Sequence, residues 1–113
     1  MRRSDLDFLL DIKTECEVII RHTGNKSFQE FFENELLSRA IERSLEIIGK
    51  ASKSVSELMK KEHSKIEWKK IAGLRDVIIH QYFGVDYDLI WDVIHNKVPD
   101  LYDQIIKILK AKT

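Results

Sequence analysis

NELLSRAIERSLEIIGKASKSVSELMKK, running from Asn34 to Lys61, decides the fold. Leu37, Ser44, Ala51 and Leu58 recur every seven residues, with Ile41, Ile48 and Val55 interleaved between them. A seam of that period keeps one face of a long helix turned toward a neighbour. Its small members, Ser44, Gly49 and Ala51, let a second backbone come close. The spacing predicts one helix over 34–61. Arg39 and Arg43 lie one turn apart on a flank of the seam. Their simplest reading is a solvated face, paired with Glu35, Glu42 and Glu46.

The segments on either side continue the helical pattern. Upstream, Ser4 is a natural N-cap, and Asp5 and Asp7 fall in the first turn where they favour the helix dipole. Leu6, Leu9, Leu10, Cys16, Ile19 and Ile20 then form an apolar stripe, widened by Phe8, Ile12 and Val18, that stops near Gly24. After a short turn over 25–27, Phe28, Phe31 and Phe32 make a single helical turn that caps one end of the core. Downstream, a third helix is predicted from Glu67 to Gly84, with Trp68 at its entrance and Ile71, Leu74, Val77 and Ile78 as its core face. Asp86 and Asp88 cap a fourth helix carrying Leu89, Ile90, Trp91, Val93 and Ile94. Pro99, suited to a first turn, opens a fifth with Leu101, Ile105, Ile106, Ile108 and Leu109. The prediction is an all-α antiparallel bundle of four to five helices, a single domain over 1–113.

Composition agrees with that class. One proline and four glycines leave few breakers, so long helices are expected and a many-turned β architecture is not. A chain of 113 residues, 43% hydrophobic and 34% charged, can build one core but not two. The formal net charge of zero argues against a strongly cationic nucleic-acid coat and leaves room for a local basic patch. The lone Cys16 can form no intramolecular disulfide and suggests a reducing compartment. No apolar run approaches the roughly 20 residues that span a bilayer, and no signal peptide is visible. The expectation is a soluble cytoplasmic protein.

The chemistry is concentrated in GLRDVIIHQYFG, Gly73 to Gly84. Arg75 can hold phosphate charge, His80 can move a proton near neutral pH, and Tyr82 presents a phenol. On an ideal helix Arg75 and Tyr82 share nearly one face, about 10 Å apart along the axis. His80 is turned about 140° away from Arg75. Three things reconcile that geometry with a common site: the reach of the arginine, a local π-bulge, or a second copy of the helix across a two-fold axis. The lysine-rich stretch 60–70 leads into Arg75. Such a connector is usually a solvated loop, but Lys69 and Lys70 stand close enough in sequence to steer a phosphate. By itself, a histidine flanked by isoleucines is more often structural, and Tyr82 is more often a core-edge residue. His22, His63 and His95 have no ligand spacing with Cys16 or with one another, so no metal site is expected. Asp88 and Asp92, one turn apart, read as capping and solvation.

These residues carry a family resemblance. The run RDVIIHQY resembles the Arg-x4-His-x-Tyr signature of the HepT-like toxins within the HEPN group of helical domains. Arg39-Ala40, the run from Arg43 to Ala51, Trp68, Gly73-Leu74-Arg75-Asp76, the run from Tyr82 to Asp86, Trp91 and Pro99-Asp100-Leu101 follow in the same order. The likeness covers most of the chain. Two positions depart from it: Lys50 stands where the family often has glutamate, and Asp76 where it often has asparagine. The Asp76 carboxylate adjoins Arg75 and would weaken its pull on phosphate.

The resemblance implies a metal-independent RNA endonuclease without a cofactor, the toxin of a type VII-like toxin–antitoxin pair. Arg75 and His80 would be its catalytic residues, contributed twice across a homodimer, with Lys69, Lys70 and Asp76 in support. The implied partner is a small nucleotidyltransferase antitoxin that transfers AMP to Tyr82. A rival reading keeps the same bundle and dimer but no cleavage: a helical partner that binds the nucleotidyltransferase or positions its substrate.

Overall fold

The computed structural model describes residues 3–79 and 86–112, with side chains at all of these except 75 and 77–79. The described residues form α1 (Asp5–Thr23), α2 (Phe28–Glu33), α3 (Glu35–Ser54), α4 (Glu57–Glu62), α5 (Trp68–Ile79), α6 (Tyr87–Asn96) and α7 (Val98–Lys112), and no strand. The all-α class predicted from the seam is what the structure shows. Two short helices, α2 and α4, raise the number of described helices above the four or five long ones read in the sequence.

Local chemistry sets most boundaries. Ser4 caps α1 through a reciprocal box: the Asp7 amide donates to Ser4 Oγ at 3.3 Å, and the Ser4 amide donates to Asp7 Oδ2 at 2.9 Å. Ser27 and Glu30 repeat the arrangement at α2. Asn34 closes α2 and opens α3, accepting from the Leu37 amide at 3.0 Å. Asp86 caps α6, accepting from the Leu89 amide at 3.0 Å, as its position predicts. Pro99 sits in the first turn of α7, where its missing N–H leaves no bond unmade. Gly24 ends α1 in right-handed geometry. Its value is room rather than a left-handed turn, since a Cβ there would lie 2.9 Å from the Ile20 carbonyl oxygen.

The stretch 34–61 departs from its prediction. It is two helices rather than one, broken where Val55 turns extended at ψ 142°. The cause is tertiary. Asp5, at the start of α1, accepts from the Ser56 amide at 2.8 Å and from Ser56 Oγ at 2.6 Å. Ser56 in turn caps α4, accepting from the Met59 amide at 3.2 Å. Up to the break the seam behaves as expected: Ile41, Ser44, Ile48, Ala51 and Val55 are buried. Beyond it Leu58, the next heptad position, points to solvent at 69% exposure, and Met59 is buried instead.

α1 lies at the centre, packed against α3 on one side and α7 on another, while α5 packs on α3 and α6 on α7. Leu9, Ile12, Cys16 and Ile19 of α1 meet Ile41, Leu45 and Ile48 of α3 and Ile105 of α7 in one core, all at 1% exposure or less. The buried serines and glycine of α3 (Ser38, Ser44, Gly49, Ser52) carry little bulk, which allows close helix approach. Tyr102 of α7 donates to Glu17 Oε2 of α1 at 2.9 Å. At one end Phe31 packs on Trp91 with ring centroids 5.2 Å apart and meets Tyr87 edge-on at 6.0 Å. That cluster fastens the first turns of α6 to α2, worth about 0.5–1.5 kcal/mol per ring pair beyond burial. No helix among the described residues is long and apolar enough to cross a membrane.

Candidate active site

Arg75 lies in the backbone of α5, within the helix that the apolar pattern predicted. His80 and Tyr82 lie outside the described residues, as does the predicted end of that helix at Gly84. What the structure defines is the support on either side of them. Before them, α5 is seated by Trp68, which is buried and donates from Nε1 to the His63 carbonyl at 3.1 Å. Ile71 and Leu74, three residues apart and half-buried, pack against the core. After them, the described residues resume at the Asp86 cap, with Tyr87 held edge-on to Phe32 at 5.5 Å.

The charged residues near Arg75 are solvent-facing. Lys69, Lys70 and Asp76 are all exposed on α5. Lys70 Nζ pairs with Glu67 Oε2 at 2.8 Å, and Glu67 Oε1 also faces Lys97 Nζ at 3.7 Å. The hydrogen bond and charge of Lys70, then the charge of Lys97, hold the Glu67 carboxyl below its ordinary range; the same Glu67 raises Lys70. Lys60, Lys69 and Lys70 border a shallow depression beside Trp68. A local basic surface therefore exists, but two of its lysines are already engaged by carboxylates, Lys70 by Glu67 and Lys60 by Glu57 at 3.5 Å. Lys97 received no role from the sequence, because its link to Glu67 joins residues far apart in the chain. The only local signal is its place immediately before the Val98-Pro99 helix start.

Arg39 and Arg43 follow the solvated reading. Arg39 pairs with Glu35 at 2.9 Å across exposed surface and Arg43 reaches the half-buried Glu46 at 3.3 Å; pairs one helical turn apart at a surface contribute about 0.3–0.5 kcal/mol. Glu42 does not join them as an open partner; it is half-buried, and burial raises its proton affinity. Asp88 falls in the first turn of α6, and Asp92 Oδ1 accepts from the Asn96 side-chain Nδ2 one turn on. His95 packs on Trp91 with the rings tilted by 53° and their centroids 4.2 Å apart. Among the described residues, no group of three His, Cys, Asp or Glu side chains is placed to hold a metal ion.

A helical bundle with an Arg-x4-His-x-Tyr run beginning on α5 is the arrangement of a HEPN-type domain. The family model described as "Ribonuclease HepT-like" matches residues 12–108. The chain belongs to that family. Among curated proteins, it is 45% identical over 105 residues to "Putative RNase TTE0752" of Caldanaerobacter subterraneus subsp. tengcongensis, covering 93% of this chain and 94% of the relative. It is 41% identical to "Putative RNase MJ0127" of Methanocaldococcus jannaschii, over 91% of this chain and 85% of the relative. With "Probable ribonuclease HepT" of Thermococcus cleftensis it shares 37% identity over 97% of this chain and the whole of that protein. No solved structure matches the chain.

Proposed function

We propose that this chain is a metal-independent RNA endonuclease, the toxin of a toxin–antitoxin pair, working as a homodimer. One observation carries the reading: the ribonuclease family model runs through residues 12–108, and that span contains Arg75, His80 and Tyr82 in the Arg-x4-His-x-Tyr order. In the proposed reaction a ribose 2′-hydroxyl attacks the adjacent phosphorus, forming an O2′–P bond and breaking the P–O5′ bond. His80 takes the 2′ proton or supplies one to the departing 5′ oxygen, and a second His80 across the dimer serves the other step. Arg75 stabilises the charge that builds on the non-bridging oxygens, a task suited to a planar and permanently charged guanidinium. Lys69 and Lys70, exposed on the same helix, add attraction for the RNA backbone. Asp76 moderates it.

Control is proposed at Tyr82. A partner nucleotidyltransferase joins the phenol oxygen to the α-phosphorus of ATP, and pyrophosphate leaves. The adenylate brings a negative charge beside Arg75 and occupies the place of an RNA phosphate.

The test of the nuclease is paired substitution. Arg75→Ala and His80→Ala should each cut RNA cleavage by roughly 100-fold or more in the presence of EDTA, with unchanged helical circular dichroism. Cleavage retained by both variants would show the activity to lie elsewhere. Loss of cleavage in the wild type, with nucleotidyltransferase binding intact, would favour the non-catalytic partner. For control, mass spectrometry after incubation with the partner and ATP should show adenylate on wild-type protein and none on Tyr82→Phe. Modification at Tyr87 or Tyr102 would contradict the assignment.

A further inference from the structure

Between α3, the first half of α5, α6 and the start of α7 lies a cavity of about 150 Å³. Its walls are mainly apolar, Leu45 and Ile48 from α3, Ile71 and Leu74 from α5, Val93 from α6 and Leu101 from α7, and Gln104 of α7 adds a side-chain amide. Its border is charged. Lys65, Lys70 and Lys97 line it together with Glu67 and Asp100, and all five are exposed. Glu67 is shared between Lys70 and Lys97, and Asp100 accepts from Gln104 Nε2 at 2.9 Å. Lys65 makes no ion pair within the described residues. The border thus has three ammonium groups against two carboxylates; Glu67 is divided between Lys70 and Lys97, and the Lys65 charge is left over above a greasy interior.

We propose that this cavity binds a small amphipathic anion, with a flat apolar body of one or two rings and a carboxylate head. A dry, aliphatic cavity of about 150 Å³ is known to hold a benzene ring. One side of this cavity is open, so a second ring fits toward the border. Burying the rings against Ile71 and Leu74 releases water from apolar surface. The carboxylate then meets Lys65 and Lys97, where a neutral head would gain only an uncharged hydrogen bond. An uncharged hydrocarbon would satisfy only the walls, and an anion without rings only the border. Because Ile71 and Leu74 are the residues that seat α5, an occupant also braces the helix that continues into Arg75. The proposal rests on the cavity and its border, and it stands whether or not the chain cleaves RNA.

The experiment is a titration of the isotopically labelled full chain with 2-naphthoate, followed by amide and methyl NMR. Saturable shifts should centre on Leu45, Ile71, Leu74, Val93 and Leu101. The neutral analogue 2-naphthamide should bind roughly tenfold more weakly, corresponding to one lost ionic contact. The surface double variant Lys65→Glu/Lys97→Glu should lose roughly tenfold or more for 2-naphthoate while binding 2-naphthamide as the wild type does. Ile71→Phe should fill the cavity and abolish both. If that variant fails to fold, the lysine variant carries the test, since its changes are confined to solvent-facing positions. Absence of saturable shifts, shifts centred away from the cavity, or equal affinity for acid and amide would overturn the proposal.

Discussion

At the scale of the residue, Cys16 illustrates how far a one-dimensional pattern reaches. Its place in the α1 stripe predicts burial, and the structure buries it completely. Burial pushes its thiol from an ordinary 9.0 up to about 12, with the charges of Glu15 and Glu17 adding to the effect. The native thiol should therefore be inert to a disulfide reagent at pH 8 and react only after denaturation, a difference read directly by thiol titration. Reaction at the native rate of an exposed cysteine would mean that α1 does not pack as described. The same shift has a stability sign. The folded chain holds this proton to higher pH than the unfolded chain does, so the contribution is intact below pH 9 and fades as pH rises toward 12. The spacing of Arg75, His80 and Tyr82 can be read for a different reason: it lies within eight residues, and the site proposed on it rests on that motif and not on tertiary contacts. The coupling of Glu67 to Lys97 was not legible, because nothing local joins them.

At the scale of the element, most boundaries were written in short-range chemistry. Ser4, Asn34 and Asp86 accept from amides within a turn of themselves, Pro99 brings no N–H to the first turn of its helix, and the four helices begin where those residues predict. The break between α3 and α4 escaped because its cause lies 51 residues away, in the Asp5 carboxylate that holds both the amide and the hydroxyl of Ser56. A heptad pattern alone carries through Val55 to Leu58 and gives no sign of a stop. Asp5→Ala should lower stability by about 1–2 kcal/mol, seen as a lower urea midpoint at unchanged slope. Ser56→Ala should cost a similar amount, and the double variant clearly less than the sum, because both remove one shared interaction. Strict additivity would show that the two residues do not work together.

At the scale of the whole molecule, α1 at the centre and α5 against α3 give the motif helix a fixed base. The all-α class followed from a single seam because seven-residue periodicity is a property of the entire element. The arrangement around Arg75 and His80 did not follow, since an ideal helix turns them about 140° apart. The proposed homodimer answers that geometry, and sedimentation at micromolar concentration should show a dimer; a monomer alone would count against a composite site. The central claim, that this chain cuts RNA by activating a 2′-hydroxyl, has a more direct test. Purified protein in EDTA is given an end-labelled RNA and the same strand carrying 2′-deoxy sugars. The account predicts cleavage of the RNA to 5′-hydroxyl and 2′,3′-cyclic phosphate ends, no cleavage of the deoxy strand, and neither product with His80→Ala. Intact RNA with the wild-type protein, or equal cutting of the deoxy strand, would contradict it.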